Sequence, residues 1–136
     1  MATRSRIGIQ TESGEVKSIY CHWDGYPEHN GKILVNHYTD RAKVEALIEL
    51  GDISLLDKSV ECPKGHSFEN AVDGHTVAYG RDRGETGVEA RSDRSADSFF
   101  SSDIEEFGYL FTKEGEWKMV SYGDRNPVLV ESKIGV

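Results

Sequence analysis

Residues 4–23, RSRIGIQTESGEVKSIYCHW, predict an antiparallel hairpin near the start of the chain. Apolar and polar residues alternate in 4–10 and again in 16–23, which is typical of strands with one buried face. Between them, residues 11–15 are polar and include a glycine, as in a short hairpin loop. The apolar faces of the two strands, which should face the core, carry Ile7, Ile9, Ile19, Cys21 and Trp23.

Two helices are predicted after this hairpin. Asn30 is a suitable N-cap for a helix over 31–38, and Thr39 or Asp40 for a second helix that ends before Gly51. Glycine is common in the left-handed position that follows a helix. The second helix has an apolar stripe at positions i, i + 3 and i + 4, formed by Val44, Leu47 and Ile48.

The rest of the chain predicts loops and short strands. Residues 59–74 and 81–94 are rich in glycine, proline or charge and predict loops. Alternation predicts four further strands, at 75–80, 107–112, 116–122 and 128–130. Together these elements predict a single α+β domain over residues 1–136, with an antiparallel sheet of about five strands and two helices packed on one face.

The charge balance restricts the function. Of the 136 residues, 16 are lysine or arginine and 24 are aspartate or glutamate, which gives a formal net charge of −8. Proteins held on nucleic acid or anionic lipid by charge have an excess of lysine and arginine, so we expect no direct DNA or RNA binding and no membrane association. Without a signal peptide or an apolar run of about 20 residues, the chain predicts a cytoplasmic protein.

Cysteine and histidine chemistry is the first functional hypothesis. Cys21, His22, Cys62 and His66 are the residue types that bind zinc. Neighbours on a strand point to opposite faces, however, so Cys21 and His22 do not readily share one metal. A nucleophilic cysteine needs a lowered pKa, whereas burial in a strand raises it. We therefore predict no catalytic residues, no metal site and no cofactor.

Two motifs predict a ligand site. In YGRDRGE, 79–85, two arginines between glycines suit a phosphate or a carboxylate, although ion pairs within the loop are the structural alternative. In HWDGYP, 22–27, aromatic rings beside a histidine and a carboxylate could stack a base or grip a partner, or form a structural corner. The candidate ligand-binding residues are Arg6, Tyr20, His22, Trp23, Asp24, Tyr26, Arg81, Arg83 and Glu85.

Acidic segments provide a second type of candidate surface. Residues 44–57 and 97–106 contain carboxylates but no lysine or arginine. Such a surface can take the place of a nucleic-acid backbone in the basic channel of a nuclease or regulator, or it can be an ordinary solvated surface. The candidate partner-binding residues are Glu45, Glu49, Asp52, Asp97, Asp103, Glu105 and Glu106.

A resemblance supplies the biological context. SIYCHWDGYP at 18–27, NGKIL at 30–34, LGDISLL at 50–56 and AYGRDRGE at 78–85 resemble a family of small bacteriophage, prophage and plasmid proteins. The similarity runs from Ser5 to Trp117. It implies an accessory protein that acts in the cytosol of a bacterial host, and it brings no specific activity.

The leading functional prediction follows from the acidic segments and this resemblance. We expect a phage-encoded accessory protein that inhibits a host defence component, such as a CRISPR effector, by binding it without catalysis. One alternative is a protein that binds and sequesters a nucleotide signal. Another is a metal-dependent hydrolase that uses His22, Asp24 and Glu85.

Overall fold

A computed structural model describes residues 2–134, so Met1 and residues 135–136 of the predicted domain lie outside the described residues. Within this range the chain forms eight strands in one mixed sheet and five short α-helices. The strands are β1 (Ser5–Gln10), β2 (Val16–Cys21), β3 (Ile53–Leu55), β4 (Val77–Ala78), β5 (Arg91–Asp93), β6 (Phe107–Phe111), β7 (Trp117–Ser121) and β8 (Asp124–Leu129). The helices are α1 (Lys32–His37), α2 (Arg41–Glu49), α3 (Tyr79–Arg83), α4 (Ala96–Ser101) and α5 (Glu131–Ile134).

The sheet order is β4-β3-β2-β1-β6-β7-β8, and β5 pairs with the first half of β2. The predicted hairpin of β1 and β2 is confirmed, with Ser5 opposite Cys21. However, β1 also lies parallel to β6, and β2 lies parallel to β3. The prediction of an antiparallel sheet of about five strands is therefore wrong. Its error has a physical reason, because parallel partners come from distant segments and leave no turn signal between them.

Helices cover both faces of the sheet. On one face, α1 and α2 pack on β1 and β2 through a core that includes Ile7, Ile19, Leu34 and Leu47. On the other face, α4 packs on the sheet through a second cluster, formed by Val16, Phe99, Phe100, Ile104, Leu110 and Val120. The two predicted helices, α1 and α2, do share one face, but the prediction of only two helices is wrong, since α4 packs on the other face. Helix α4 lies within the segment 97–106, which its carboxylates mark as exposed, but Phe99 and Phe100 bury one side of this helix.

The helix boundaries confirm one predicted cap and correct another. Asp40 caps α2 by accepting a backbone hydrogen bond at 3.2 Å, and Gly51 follows the helix at φ +77°. Asn30 does not cap α1: it is buried in a π-helical turn, Pro27–Gly31, and its amide donates to Ser5 Oγ at 3.2 Å. The longest described helix has 9 residues, and none in residues 2–134 is long and apolar enough to cross a membrane.

The C-terminal part of the chain combines predicted and unpredicted elements. The hairpin of β6 and β7 lies where alternation places it. The strand predicted at 75–80 has only two residues, because the chain turns at once into α3. Strands β3 and β5 have three residues each, too few for a visible alternation. The last strand, β8, begins four residues before the predicted 128–130, at Asp124.

Candidate functional site

Asp82 is the centre of a buried polar network that joins α3 to the loop before it. Its carboxylate has no exposed surface and accepts hydrogen bonds from the Ala78 N–H at 2.8 Å and from Arg81 at 2.8 Å and 3.0 Å. The third partner is His66 Nε2, at 3.2 Å. Because His66 Nδ1 accepts a hydrogen bond from the Val72 N–H, the proton that reaches Asp82 is on Nε2.

Arg81 uses four of its five N–H donors within this network. Its guanidinium also donates to the carbonyls of Val60 and Thr76. Burial alone would raise the pKa of Asp82, but the hydrogen bonds from Arg81 and Ala78 outweigh it and lower that pKa. The pair therefore stays ionised and fastens the loop to α3.

Arg83 lies closer to solvent and is also paired. Its Nη2 is 2.9 Å from Glu85 Oε2, and its guanidinium lies over the rings of Phe68 and Tyr79, at 4.5 Å and 5.3 Å from their centres. No hydrogen bond, ion pair or ring contact within residues 2–134 joins Arg81 or Arg83 to His22 or Tyr26. In the structure, the arginines of YGRDRGE form ion pairs and fasten the preceding loop to α3, which is the structural alternative to a ligand site.

The HWDGYP segment forms a corner at one end of the sheet. The Gly25 N–H donates to the Thr3 carbonyl at 2.7 Å, and the Gly25 carbonyl accepts from the Tyr109 hydroxyl at 2.6 Å. A Cβ on Gly25 would lie 2.8 Å from the Thr3 oxygen, so a side chain does not fit. The corner leaves Trp23 and Tyr26 exposed by 44% and 38%.

Trp23 is thus a correction to the predicted core. Strand β2 ends at Cys21. Beyond it, the His22 N–H donates to the Ile53 carbonyl and the Trp23 N–H donates to the Ser54 carbonyl, both in β3. The chain next turns through Asp24, which has a left-handed backbone at φ +54°. The alternation that buries Ile19 therefore stops before Trp23.

Arg6, Tyr20 and His22 lie together on the side of the sheet that α4 covers. Arg6 is opposite Tyr20 in the β1–β2 register and donates to the hydroxyl and the carbonyl of Ser18. The Tyr20 hydroxyl is 2.7 Å from His22 Nδ1, and the ring of Trp23 contacts that imidazole edge-on at 4.7 Å. Burial lowers the pKa of Arg6. The predicted ligand residues thus form two separate groups, one on β1 and β2 and one on α3.

The predicted acidic surface is also divided. Glu45 and Glu49 are exposed on α2, whereas Asp97 is exposed on α4, on the opposite face of the sheet. Asp52 is half-buried and accepts the Tyr20 N–H at 2.9 Å, and burial raises its pKa. Strand β2 pairs with β5 at residues 16–18 and with β3 at Cys21, and the Asp52 side chain accepts the N–H of Tyr20 between these two pairings. The third group precedes β6 and consists of Asp103, Glu105 and Glu106.

This third group lies at the same end of the sheet as the exposed aromatic side chains. Strands β2 and β7 end where β1 and β6 begin, so their flanking residues share one end of the sheet. The Arg4 N–H donates to the Glu106 carboxylate at 2.8 Å, and the Tyr122 N–H donates to the Glu106 carbonyl at 2.9 Å. We call this end the aromatic–acidic rim; it consists of Trp23, Tyr26, Tyr122, Asp103, Glu105 and Glu106.

Tyr122 is the member of the rim that sequence reasoning missed. It is 76% exposed, although alternation places it in the predicted strand 116–122. The available signal was the glycine that follows, since Tyr122 and Gly123 form the turn between β7 and β8.

Comparison with known proteins gives no information on the function, which is therefore argued from the geometry described above. No protein-family model matches the chain, and no curated protein or solved structure does. The resemblance to phage and plasmid proteins therefore stays a prediction.

Two of the four zinc candidates, Cys62 and His66, both contact Asp82. Within residues 2–134, no three or more His, Cys, Asp and Glu side chains are grouped so that they could hold a metal ion. Burial raises the pKa of Cys21 to about 11, which leaves little thiolate at neutral pH. Cys62 is exposed, with its Sγ 3.8 Å from Asp82 Oδ1. Glu85, which the hydrolase hypothesis requires beside His22, pairs with Arg83 instead.

Proposed function

We propose that this chain is a phage-encoded accessory protein that binds a host defence component, such as a CRISPR effector, and inhibits it without catalysis. The observation that carries the proposal is the aromatic–acidic rim, where exposed rings and carboxylates share one end of the sheet. Tryptophan and tyrosine are enriched among the residues that dominate binding energy at protein interfaces. Carboxylates around them complement lysine and arginine on the partner.

The exposed aromatic surface is concentrated at this end of the sheet. Five large apolar side chains within residues 2–134 are exposed: Trp23, Tyr26, Val72, Tyr122 and Leu129. Three of the five belong to the rim, and all three are aromatic. Exposed apolar patches with polar borders often mark interaction surfaces, whereas single exposed apolar residues need no explanation.

The carboxylates of the rim are available to a partner. Among the described residues, no side-chain nitrogen of lysine, arginine or histidine lies within 4.0 Å of the carboxylates of Asp103, Glu105 or Glu106. The net charge of −8 adds a long-range attraction toward a basic surface. Nucleic-acid-guided effectors have such a surface in the channel that holds their nucleic acid. We therefore expect the rim to enter or cover that channel.

Replacing Trp23 or Tyr122 by alanine should weaken the complex by about 2 kcal/mol, or roughly 30-fold in Kd, for each residue. Both side chains are exposed, so the melting temperature should stay close to that of the wild type. Purified RNA-guided nuclease effectors, immobilised for interferometry, provide the measurement. Leu129→Ala is the matched control, because Leu129 is 42% exposed but lies on β8 outside the rim.

Competition separates channel binding from other contacts. An effector already loaded with target DNA should bind the chain at least tenfold more weakly, because both ligands need the same basic surface, and DNA cleavage should fall as the complex forms. The proposal is refuted if Trp23→Ala and Leu129→Ala have equal effects. It is equally refuted if none of the tested effectors forms a complex.

A further inference from the structure

A small cleft gathers basic side chains on this acidic protein. It lies between α1 and the segment that follows β3, and its volume is about 210 Å³. Lys32, Lys58, His29 and His37 line it, with Glu28 as the one carboxylate among the lining side chains. No residue that lines the cleft belongs to the aromatic–acidic rim, so this inference does not depend on the proposed inhibitor function.

Lys43 holds the two walls of the cleft together. Its ammonium donates to the carbonyl of His37 at 2.7 Å and to the carbonyl of Lys58 at 2.6 Å. It also lies 4.4 Å from the centre of the Tyr38 ring, and the Tyr38 hydroxyl donates to the Asp57 carbonyl at 2.6 Å. The end of α1 and the chain around Lys58 are therefore fixed relative to one another before any ligand arrives.

The charges that face this fixed cleft are not neutralised by the protein. Within residues 2–134, neither Lys32 nor Lys58 has a carboxylate oxygen within 4.0 Å of its ammonium. His29 donates through Nδ1 to Asn30 Oδ1 at 2.9 Å, which fixes its ring at the cleft. Two ammonium groups without a carboxylate partner in one cleft suit an anion.

We propose that this cleft binds a small molecule that carries two linked phosphate groups, with Lys32 and Lys58 as the principal contacts. Lysine ammonium groups bind phosphate oxygens as point charges, and two of them match two phosphates. A cleft of this volume is below the size of a typical drug-sized pocket, so it takes the phosphates and not a whole nucleotide.

The same phosphate chemistry occurs in nucleic acid, but the net charge of the protein favours the small molecule. A polyanion longer than the cleft also meets the acidic surface around it and is repelled. A diphosphate contacts only the cleft. The two sources can be distinguished by comparing inorganic pyrophosphate with a single-stranded oligonucleotide.

Titration of the full chain with inorganic pyrophosphate, followed by calorimetry and by amide NMR shifts, tests the proposal. We expect saturable binding with shifts centred on residues 28–37 and 58, and tighter binding of pyrophosphate than of inorganic phosphate. The double variant Lys32→Ala with Lys58→Ala should bind about tenfold more weakly or worse. The control, Lys64→Ala with Lys113→Ala, removes the same charge from two other exposed positions and should bind like the wild type.

Three results would overturn the assignment. Equal weakening in both double variants would show a general charge effect, and full binding in Lys32→Ala with Lys58→Ala would place the anion elsewhere. An oligonucleotide that binds more tightly than pyrophosphate would remove the small molecule as the ligand. Equal melting temperatures of the two double variants establish that both are folded.

Discussion

Asp82→Ala should lower the free energy of unfolding by about 3 kcal/mol, because it removes the buried acceptor that several donors share. The Asp82 side chain has no exposed surface, and it accepts hydrogen bonds from Ala78, Arg81 and His66. Alanine would leave the Ala78 N–H and part of the guanidinium without an acceptor, and His66 Nε2 with the Thr76 carbonyl alone, at 3.2 Å. Urea unfolding followed by circular dichroism measures the loss.

Asp73→Ala is the matched control for this variant. Asp73 is an exposed carboxylate on the same loop, so its removal should change the free energy of unfolding by about 0.5 kcal/mol or less. A loss below about 1 kcal/mol for Asp82→Ala would contradict the role of the network.

The pH dependence provides a second check on Asp82. Folding lowers the pKa of this carboxyl, so its contribution to stability is present above about pH 4, the ordinary value, and is lost as the pH falls through the lowered value. The difference in unfolding free energy between the wild type and Asp82→Ala should therefore narrow in acid. A difference that is constant from pH 7 to pH 2 would mean that the ionised form makes no special contribution.

Gly25→Ala should cost about 3 kcal/mol, which is the upper part of the usual range for overpacking. A Cβ at this position would lie 2.8 Å from both the Thr3 oxygen and the Ser5 Cβ, and neither belongs to a flexible side-chain end. Relief requires the corner to move away from β1. That movement would also stretch the hydrogen bonds that Gly25 forms with Thr3 and Tyr109. Thermal and urea unfolding measure the effect.

Gly123→Ala is the control for the corner. A Cβ on Gly123 would meet no atom within 4 Å, so this variant should unfold within about 0.5 kcal/mol of the wild type. If Gly25→Ala were as stable as Gly123→Ala, the HWDGYP segment would not be a structural corner. Trp23 would then lack the fixed support that the proposed interface needs.

Local sequence patterns correctly predict those strands that pair with the next strand along the chain, and the helix whose two ends carry clear signals. The hairpins of β1–β2 and β6–β7 join strands across short loops, and α2 has both a capping aspartate and a terminal glycine. The parallel pairs have no such signal, because nothing near β1 indicates β6. Strands of two or three residues, such as β3 and β4, take their conformation from the sheet and not from their own sequence.

The candidate site shows a similar division. The sequence indicates that YGRDRGE and HWDGYP each have a structural or functional role. In the structure, the first contains the buried Asp82 side chain and the second forms the corner at Gly25. Sequence alone does not reveal that Asp82 is completely buried, since an acid between two arginines resembles a solvated loop. The rim could not be predicted either, because it is assembled from the ends of strands far apart in the chain.

The parallel contact of β1 with β6 has a consequence for synthesis on the ribosome. Arg4 and Glu106, which border these strands, meet across 102 residues of chain. Contacts between residues so far apart in sequence slow folding, because a long chain segment must close before they form. We expect the first hairpin to wait with one edge of β1 unpaired until the strand at 107–111 has left the exit tunnel. Until then, that open edge is where a nascent chain is most exposed to aggregation or to capture by a chaperone.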